Sequence, residues 1–101
     1  MSNDKVTSLK LITGEEIICT VVSSGDTIEI KKPLVLSVQQ VGQGQFGLAL
    51  SPWALSNPDI GLITLDKSVI VANFVPSKEV KRQYLLQTTG IDLGAPSSLK
   101  L

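Results

Sequence analysis

The sequence contains no histidine, a single cysteine, and only one tryptophan, one tyrosine and two phenylalanines. Without histidine, the commonest general base and the commonest metal ligand are missing. Cys19 has no histidine partner and lies between apolar neighbours, which predicts a buried, inert thiol rather than a nucleophile. Glu15 and Glu16 are adjacent, so in a strand their carboxylates would point to opposite faces. We therefore expect no enzymatic activity, no metal site and no cofactor.

The charges balance, with 9 Lys+Arg against 9 Asp+Glu, so the chain has no net charge that would attract nucleic acid or acidic membranes. Any such binding must come from a local patch. No apolar run reaches the roughly 18 residues that a membrane span needs, and residues 1–4 are polar without a following signal-peptide segment. The length of 101 residues and the apolar content of 43% fit one packed domain over residues 1–101. We expect a cytoplasmic protein that does not contact a membrane.

Short β-branched segments alternate with turn residues along most of the chain. The Ser/Gly/Asp sequence at 23–26 and the Gly-Gln-Gly sequence at 42–44 are typical of hairpin turns. Pro33 separates two strand-like stretches, because proline cannot donate to a sheet ladder. The segment 69–75 is the most β-branched and is expected to be a buried strand. The pattern predicts strands at residues 5–12, 15–22, 27–31, 34–41, 43–50 and 69–75.

The remaining segments are less regular. Residues 51–66 contain two prolines and a glycine, which predicts an insertion-like irregular segment with strand structure at 60–65. Ser77 is suited to cap a short amphipathic helix over residues 78–87. Residues 91–101 are expected to form a loosely held tail.

Two groups of residues resemble the two sequence motifs of the Sm-like family. The first comprises the Lys-Leu-Ile-Thr-Gly sequence at 10–14, Cys19, Val21 and residues 28–30. The second, Lys-Ser-Val-Ile-Val-Ala-Asn-Phe-Val-Pro-Ser at 67–77, resembles the second motif of bacterial Sm-like RNA chaperones of the Hfq type, with one extra residue. The chain also resembles small Sm-like proteins of tailed bacteriophages, through residues 13–16, 50–53 and 76–80.

This resemblance implies a fold and an assembly. The implied fold is mainly β: a small, strongly bent, antiparallel five-stranded Sm-like (SH3-like) barrel, here with a short C-terminal helix. The edge strands of such barrels pair between subunits and form a homo-oligomeric ring, of about five to seven copies. A physical argument that does not depend on the resemblance also favours pairing between subunits, because an open edge strand has unpaired N–H and C=O groups.

The resemblance transfers binding residues only in part. Family members read uracil with an asparagine in the first motif and an Arg-Gly or Lys-His pair in the second. Here Glu29 occupies the asparagine position and Ser68 the histidine position, whereas Lys67 matches. Phe46, Trp53 or Phe74 could stack on a base, and Trp53 is the preferred candidate because it lies in the irregular segment. The doubled lysines at 31–32 and the second basic group at 78–82 each form either a phosphate patch or a solvated face. The predicted nucleic-acid-binding residues are Lys67, Ser68, Thr27, Glu29, Lys31, Lys32 and Trp53.

Two functions follow from the sequence. The first is a ring-forming protein that binds single-stranded RNA or DNA, in phage nucleic-acid processing within the cytoplasm of an infected bacterium. The second is an oligomeric structural or adaptor protein that retains the ring without the ligand. Lys67 and the basic groups favour the first function, whereas Glu29, Ser68 and the zero net charge favour the second.

Overall fold

The computed structural model describes residues 5–57 and 61–89, which are mainly β with one short C-terminal helix, as predicted. The predicted tail at 91–101 and residues 58–60 of the predicted irregular segment lie outside the described residues. A 3₁₀ turn, Lys67–Val69, connects the last two strands. The elements are β1 (Lys5–Leu11), β2 (Glu16–Ser24), β3 (Thr27–Gly42), β4 (Gln45–Pro52), β5 (Ile63–Asp66), β6 (Ile70–Phe74) and α1 (Lys78–Thr89).

The strands form one antiparallel sheet in the order β4-β3-β2-β1-β6, and β5 also pairs with β3. Because β4 and β5 pair with successive parts of β3, six strands make a sheet that is five strands wide. The predicted strands at 27–31 and 34–41 are a single 16-residue strand, so the expectation that Pro33 separates them is wrong. Lys32, with a positive φ of 53°, precedes Pro33 at the junction of the two halves.

The core lies on both faces of the sheet. One face, here named the inner face, carries the larger cluster, which alternating residues of the strands form: Leu9, Leu11, Ile17, Cys19, Ile28, Ile30 and Leu65. The opposite face, here named the outer face, is covered by α1. Tyr84 of the helix packs there against Ile18 and Leu34 in a smaller cluster, and the partly buried residues around it are Val6, Leu36, Leu50, Val80 and Leu85. Cys19 is buried, as predicted, and its thiol donates a weak hydrogen bond to the Thr7 carbonyl at 3.7 Å.

Hydrogen bonds fix α1 on the outer face. At its start, Ser77 Oγ accepts from the Val80 N–H at 3.2 Å, which confirms the predicted cap. Near its middle, the fully buried Tyr84 hydroxyl shares a 2.8 Å hydrogen bond with Thr20 Oγ1 and donates to the Lys31 carbonyl at 3.4 Å. Near its end, Lys32 Nζ donates to the Thr88 carbonyl at 3.2 Å, where a cation complements the helix dipole.

The expectation that residues 69–75 form a buried strand is wrong. Within this segment β6 begins partly buried at Ile70, but Val71 and Phe74 are exposed, as is Val75 just after it. The reason is topological: β6 is an edge strand that pairs only with β1 among the described residues. β-branched composition predicts the strand but does not distinguish a central position from an edge.

The buried thiol and phenol predict an alkaline limit to stability. Burial raises the pKa of Cys19 from 9.0 to about 12 and the pKa of Tyr84 from 10.0 to about 12. The contribution of these two groups to the free energy of unfolding is therefore complete below pH 9 and is lost as the pH rises to 12. We expect the free energy of unfolding, measured by urea denaturation, to fall by several kcal/mol over this interval.

Matched variants isolate the contributions of Cys19 and Tyr84 to this pH dependence. The decrease should be smaller in Cys19→Ala and in Tyr84→Phe than in the wild type, and smallest in the double variant. Identical pH dependence in all four proteins would contradict the assignment.

Candidate nucleic-acid interface

A cavity of about 600 Å³ opens at one end of the inner face, between β1, the end of β2, and β6. Its floor is apolar and consists of Leu9, Val21, Ile28 and Ile70. Its rim is polar and includes Lys5, Thr7, Ser24, Lys67 and Asn73. The volume lies within the range of about 300–1,000 Å³ found for small-ligand sites.

Strand alternation explains why polar side chains line this end of an apolar face. Along β1, the residues that share the inner face are Lys5, Thr7, Leu9 and Leu11. The register places Lys5 opposite Val21 on β2 and Leu9 opposite Asn73 on β6. The inner face is therefore apolar where β1 ends and polar where it begins.

The 3₁₀ turn positions Lys67 at the rim. Asp66 caps the turn, and its Oδ1 accepts from the Ser68 N–H at 3.0 Å. Hydrogen bonds from the backbone and side chain of Ser68 lower the pKa of Asp66, so its carboxylate is charged at neutral pH. Thr27 lies opposite Asp66 in the ladder between β3 and β5. Three of the predicted site residues, Lys67, Ser68 and Thr27, thus lie close together, and Lys67 lines the cavity.

Three other predicted site residues do not line the cavity, and one of them, Glu29, is hydrogen-bonded to the lining residue Ser23. Glu29 alternates with the buried Ile28 and Ile30, and its Oε1 accepts from Ser23 Oγ at 2.8 Å. Lys31 lies opposite Thr20 beside α1, and Lys32 donates to the last turn of α1. The doubled lysines therefore belong to the helix-covered side of the sheet, whereas Lys67 belongs to the cavity.

Trp53, the remaining predicted residue, lies at the inner core. Its side chain packs against the larger cluster, and its Nε1 donates to Glu15 Oε1 at 3.3 Å. The same carboxylate oxygen accepts from Thr13 Oγ1 at 3.2 Å. These contacts give Trp53 a packing role between the irregular segment and the turn that follows β1. The more exposed aromatic rings are Phe46, at 66%, and Phe74, at 42%.

Sequence reasoning missed the other polar residues of the cavity. Lys5, Thr7, Ser24 and Asn73 come from three strands and meet only through long-range pairing. One signal was available for β1: Lys5 and Thr7 continue the alternation of Leu9 and Leu11. Asn73 carried no comparable signal, because its face depends on a register shift between β1 and β6.

The outermost strands of the sheet, β4 and β6, carry exposed apolar residues. Among the described residues, β4 pairs only with β3 and β6 pairs only with β1. On the β3–β4 hairpin, the exposed set, here named the hairpin patch, comprises Val38, Val41, Phe46 and Leu48. At the opposite edge, the exposed set, here named the β6 patch, comprises Val71, Phe74 and Val75.

Within residues 5–57 and 61–89, no three His, Cys, Asp or Glu side chains group in a way that could hold a metal ion. In the same ranges no helix has the length and apolarity to cross a membrane. A comparison of the sequence with family models gives no match, and neither does a comparison with curated proteins.

Proposed function

We propose that this protein is a ring-forming Sm-like protein that binds single-stranded nucleic acid. The observation that carries the proposal is the position of Lys67, the one residue that matches the family's binding pair, at the rim of the cavity. The cavity combines cationic and amide groups with an apolar floor, which suits phosphates and bases respectively.

The strand arrangement supports a strongly bent barrel. β4 and β5 follow the two halves of β3, on either side of the Lys32–Pro33 junction. The 3₁₀ turn then leads the chain from β5, at one side of the sheet, to β6, at the other. The Ile12 N–H donates to the Val69 carbonyl at 2.7 Å and joins this turn to the end of β1. These connections bring the two sides of the sheet together and so support the proposal of an Sm-like barrel.

The free edges support self-association into a ring. Unpaired strand edges gain hydrogen bonds by pairing with another chain. The β4 edge and the β6 edge are different surfaces, so pairing them between copies is head-to-tail, and a suitable rotation closes such contacts into a ring. The hairpin patch and the β6 patch place exposed apolar side chains beside these same edges.

Ring formation would let a neutral chain bind a polyanion. Each copy contributes Lys5 and Lys67 at its cavity, and rotation about the ring axis repeats this pair in every subunit. A strand that contacts several subunits therefore meets a band of cations. Because binding releases counterions from the phosphates, affinity should fall steeply as salt rises.

The proposal is tested by fluorescence anisotropy of labelled oligo-U, oligo-A and matching DNA strands at low and near-physiological salt. We expect saturable, salt-sensitive binding, and we expect Lys67→Ala to weaken it by about tenfold or more with a smaller salt slope. Lys10→Ala is the control, because Lys10 lies on the opposite face of β1 to Lys5 and does not line the cavity. Equal affinity of the wild type and Lys67→Ala would contradict the proposal.

The adaptor function is favoured by Glu29, whose carboxylate accepts from the cavity-lining Ser23 and would repel phosphate. The hairpin patch and the β6 patch favour self-association without any ligand. A stable oligomer that gives no anisotropy change with any strand at low salt would replace the nucleic-acid proposal with this second function.

A further inference from the structure

We infer that two further residues of the cavity bind the strand: Lys5 holds a phosphate beside Lys67, and Asn73 contacts the edge of a base. The inference rests on the proposed function and extends it to Lys5 on β1, which lies outside both sequence motifs, and to Asn73 on β6, which the second motif contains but does not mark as a binding residue. It divides the site into groups that hold the strand and a group that discriminates among bases.

The two lysines are the phosphate-holding groups. Lys5 begins β1 and Lys67 lies in the 3₁₀ turn, so the cations reach the cavity from separate elements. A lysine ammonium is a compact point charge that binds phosphate without demanding one orientation. Two such charges at one rim suit the phosphates of a bound strand, and this contact carries no sequence information.

The floor and Asn73 suit the base. Leu9, Val21, Ile28 and Ile70 offer an apolar surface to the face of a base, without an aromatic ring on which it would stack. Asn73 is exposed and lies opposite Leu9 in the register, on the same face as this floor. Its carboxamide offers one acceptor and two donors, which match adjacent donor and acceptor groups on a base edge. Base preference should therefore depend on Asn73.

The test measures oligo-U, oligo-A and oligo-C affinities at low salt for the wild type and for two variants. Lys5→Ala should weaken binding of all three strands by a similar factor, about fivefold or more, and should reduce the salt slope. Asn73→Leu should instead change the ratio of affinities among the strands by about fivefold or more. Asn73→Asp provides a second readout: it removes the donors and adds a negative charge, so it should weaken binding of all three strands and also change their ratio.

Matched controls come from the same chain. Lys10→Ala removes a lysine from β1 on the opposite face to Lys5, and Asn57→Leu removes an exposed asparagine from the irregular segment. Neither should change affinity or base preference, and circular dichroism melting should confirm that every variant folds.

The outcomes separate this inference from the proposed function. Wild-type binding that is weakened by Lys67→Ala but unaffected by Lys5→Ala and Asn73→Leu would overturn the inference alone. Absence of wild-type binding to any strand at low salt would overturn both. A uniform loss in Lys5→Ala with altered base ratios in Asn73→Leu would support the division of roles.

Discussion

Replacing Tyr84 with alanine is expected to destabilise the fold by about 3–5 kcal/mol, the usual cost of truncating a buried aromatic side chain. Tyr84 is fully buried and joins α1 to the smaller core cluster on the outer face. The substitution would leave a cavity between helix and sheet and would remove the partner of Thr20. Because domains of this size are stable by only about 5–15 kcal/mol, much of the protein should unfold at moderate urea concentrations.

Tyr84→Phe is the matched comparison, because it keeps the ring and removes only the hydroxyl. Its expected cost is about 1 kcal/mol, for the hydrogen bonds to Thr20 and the Lys31 carbonyl. Urea denaturation followed by circular dichroism gives both values. An alanine variant as stable as the phenylalanine variant would show that α1 contributes little to the fold.

If the protein forms the proposed ring, Leu48→Lys is expected to convert it into smaller species, which is the second large effect. Leu48 lies in the hairpin patch on the edge strand β4 and is 61% exposed, so the substitution should cost the isolated subunit little. In a head-to-tail ring the same substitution places an unpaired charge in every subunit interface, where burial is costly. Size-exclusion chromatography with light scattering measures the change in mass directly.

Leu55→Lys is the control for surface charge. Leu55 is 79% exposed but lies in the irregular segment, outside both edge strands. Its substitution should leave the mass of the assembly unchanged. Thermal denaturation should show that the subunits of both variants remain folded. If Leu48→Lys has the same mass as the wild type, the hairpin patch is not part of the interface.

Local chemistry made much of the fold predictable. The turn between β3 and β4 contains Gly44, with a φ of +71°, and the turn after β1 contains Gly14, with a φ of +99°. Both conformations favour glycine, so the sequence shows where those strands stop. The helix was also predictable, because Ser77 and the apolar stripe of residues 78–87 are local signals, and α1 extends only two residues further.

Pro33 shows where local chemistry misleads. Proline interrupts a ladder only when its missing N–H would have been used. On one side of β3 the ladder to β5 stops at Ile30 and the ladder to β4 starts at Leu34, so Pro33 lies in the gap. On the other side, the register with β2 shifts at the same place. The strand continues through the proline because neither neighbour requires its N–H.

The candidate site was predictable only where a motif marked it. Lys67 matched a family residue type and does line the cavity. Lys31 and Lys32 were equally basic in sequence, but the C-terminal turn of α1 binds Lys32. Lys5 and Asn73 reach the same cavity through strand pairing between distant segments, which no local pattern reveals.

Native mass spectrometry of the wild-type chain, with and without an oligo-U strand at low ionic strength, tests the central claim most directly. A closed oligomer of one defined subunit number that gains the mass of one strand is the expected result. A monomer would contradict the ring, and an oligomer that never gains a strand would contradict nucleic-acid binding.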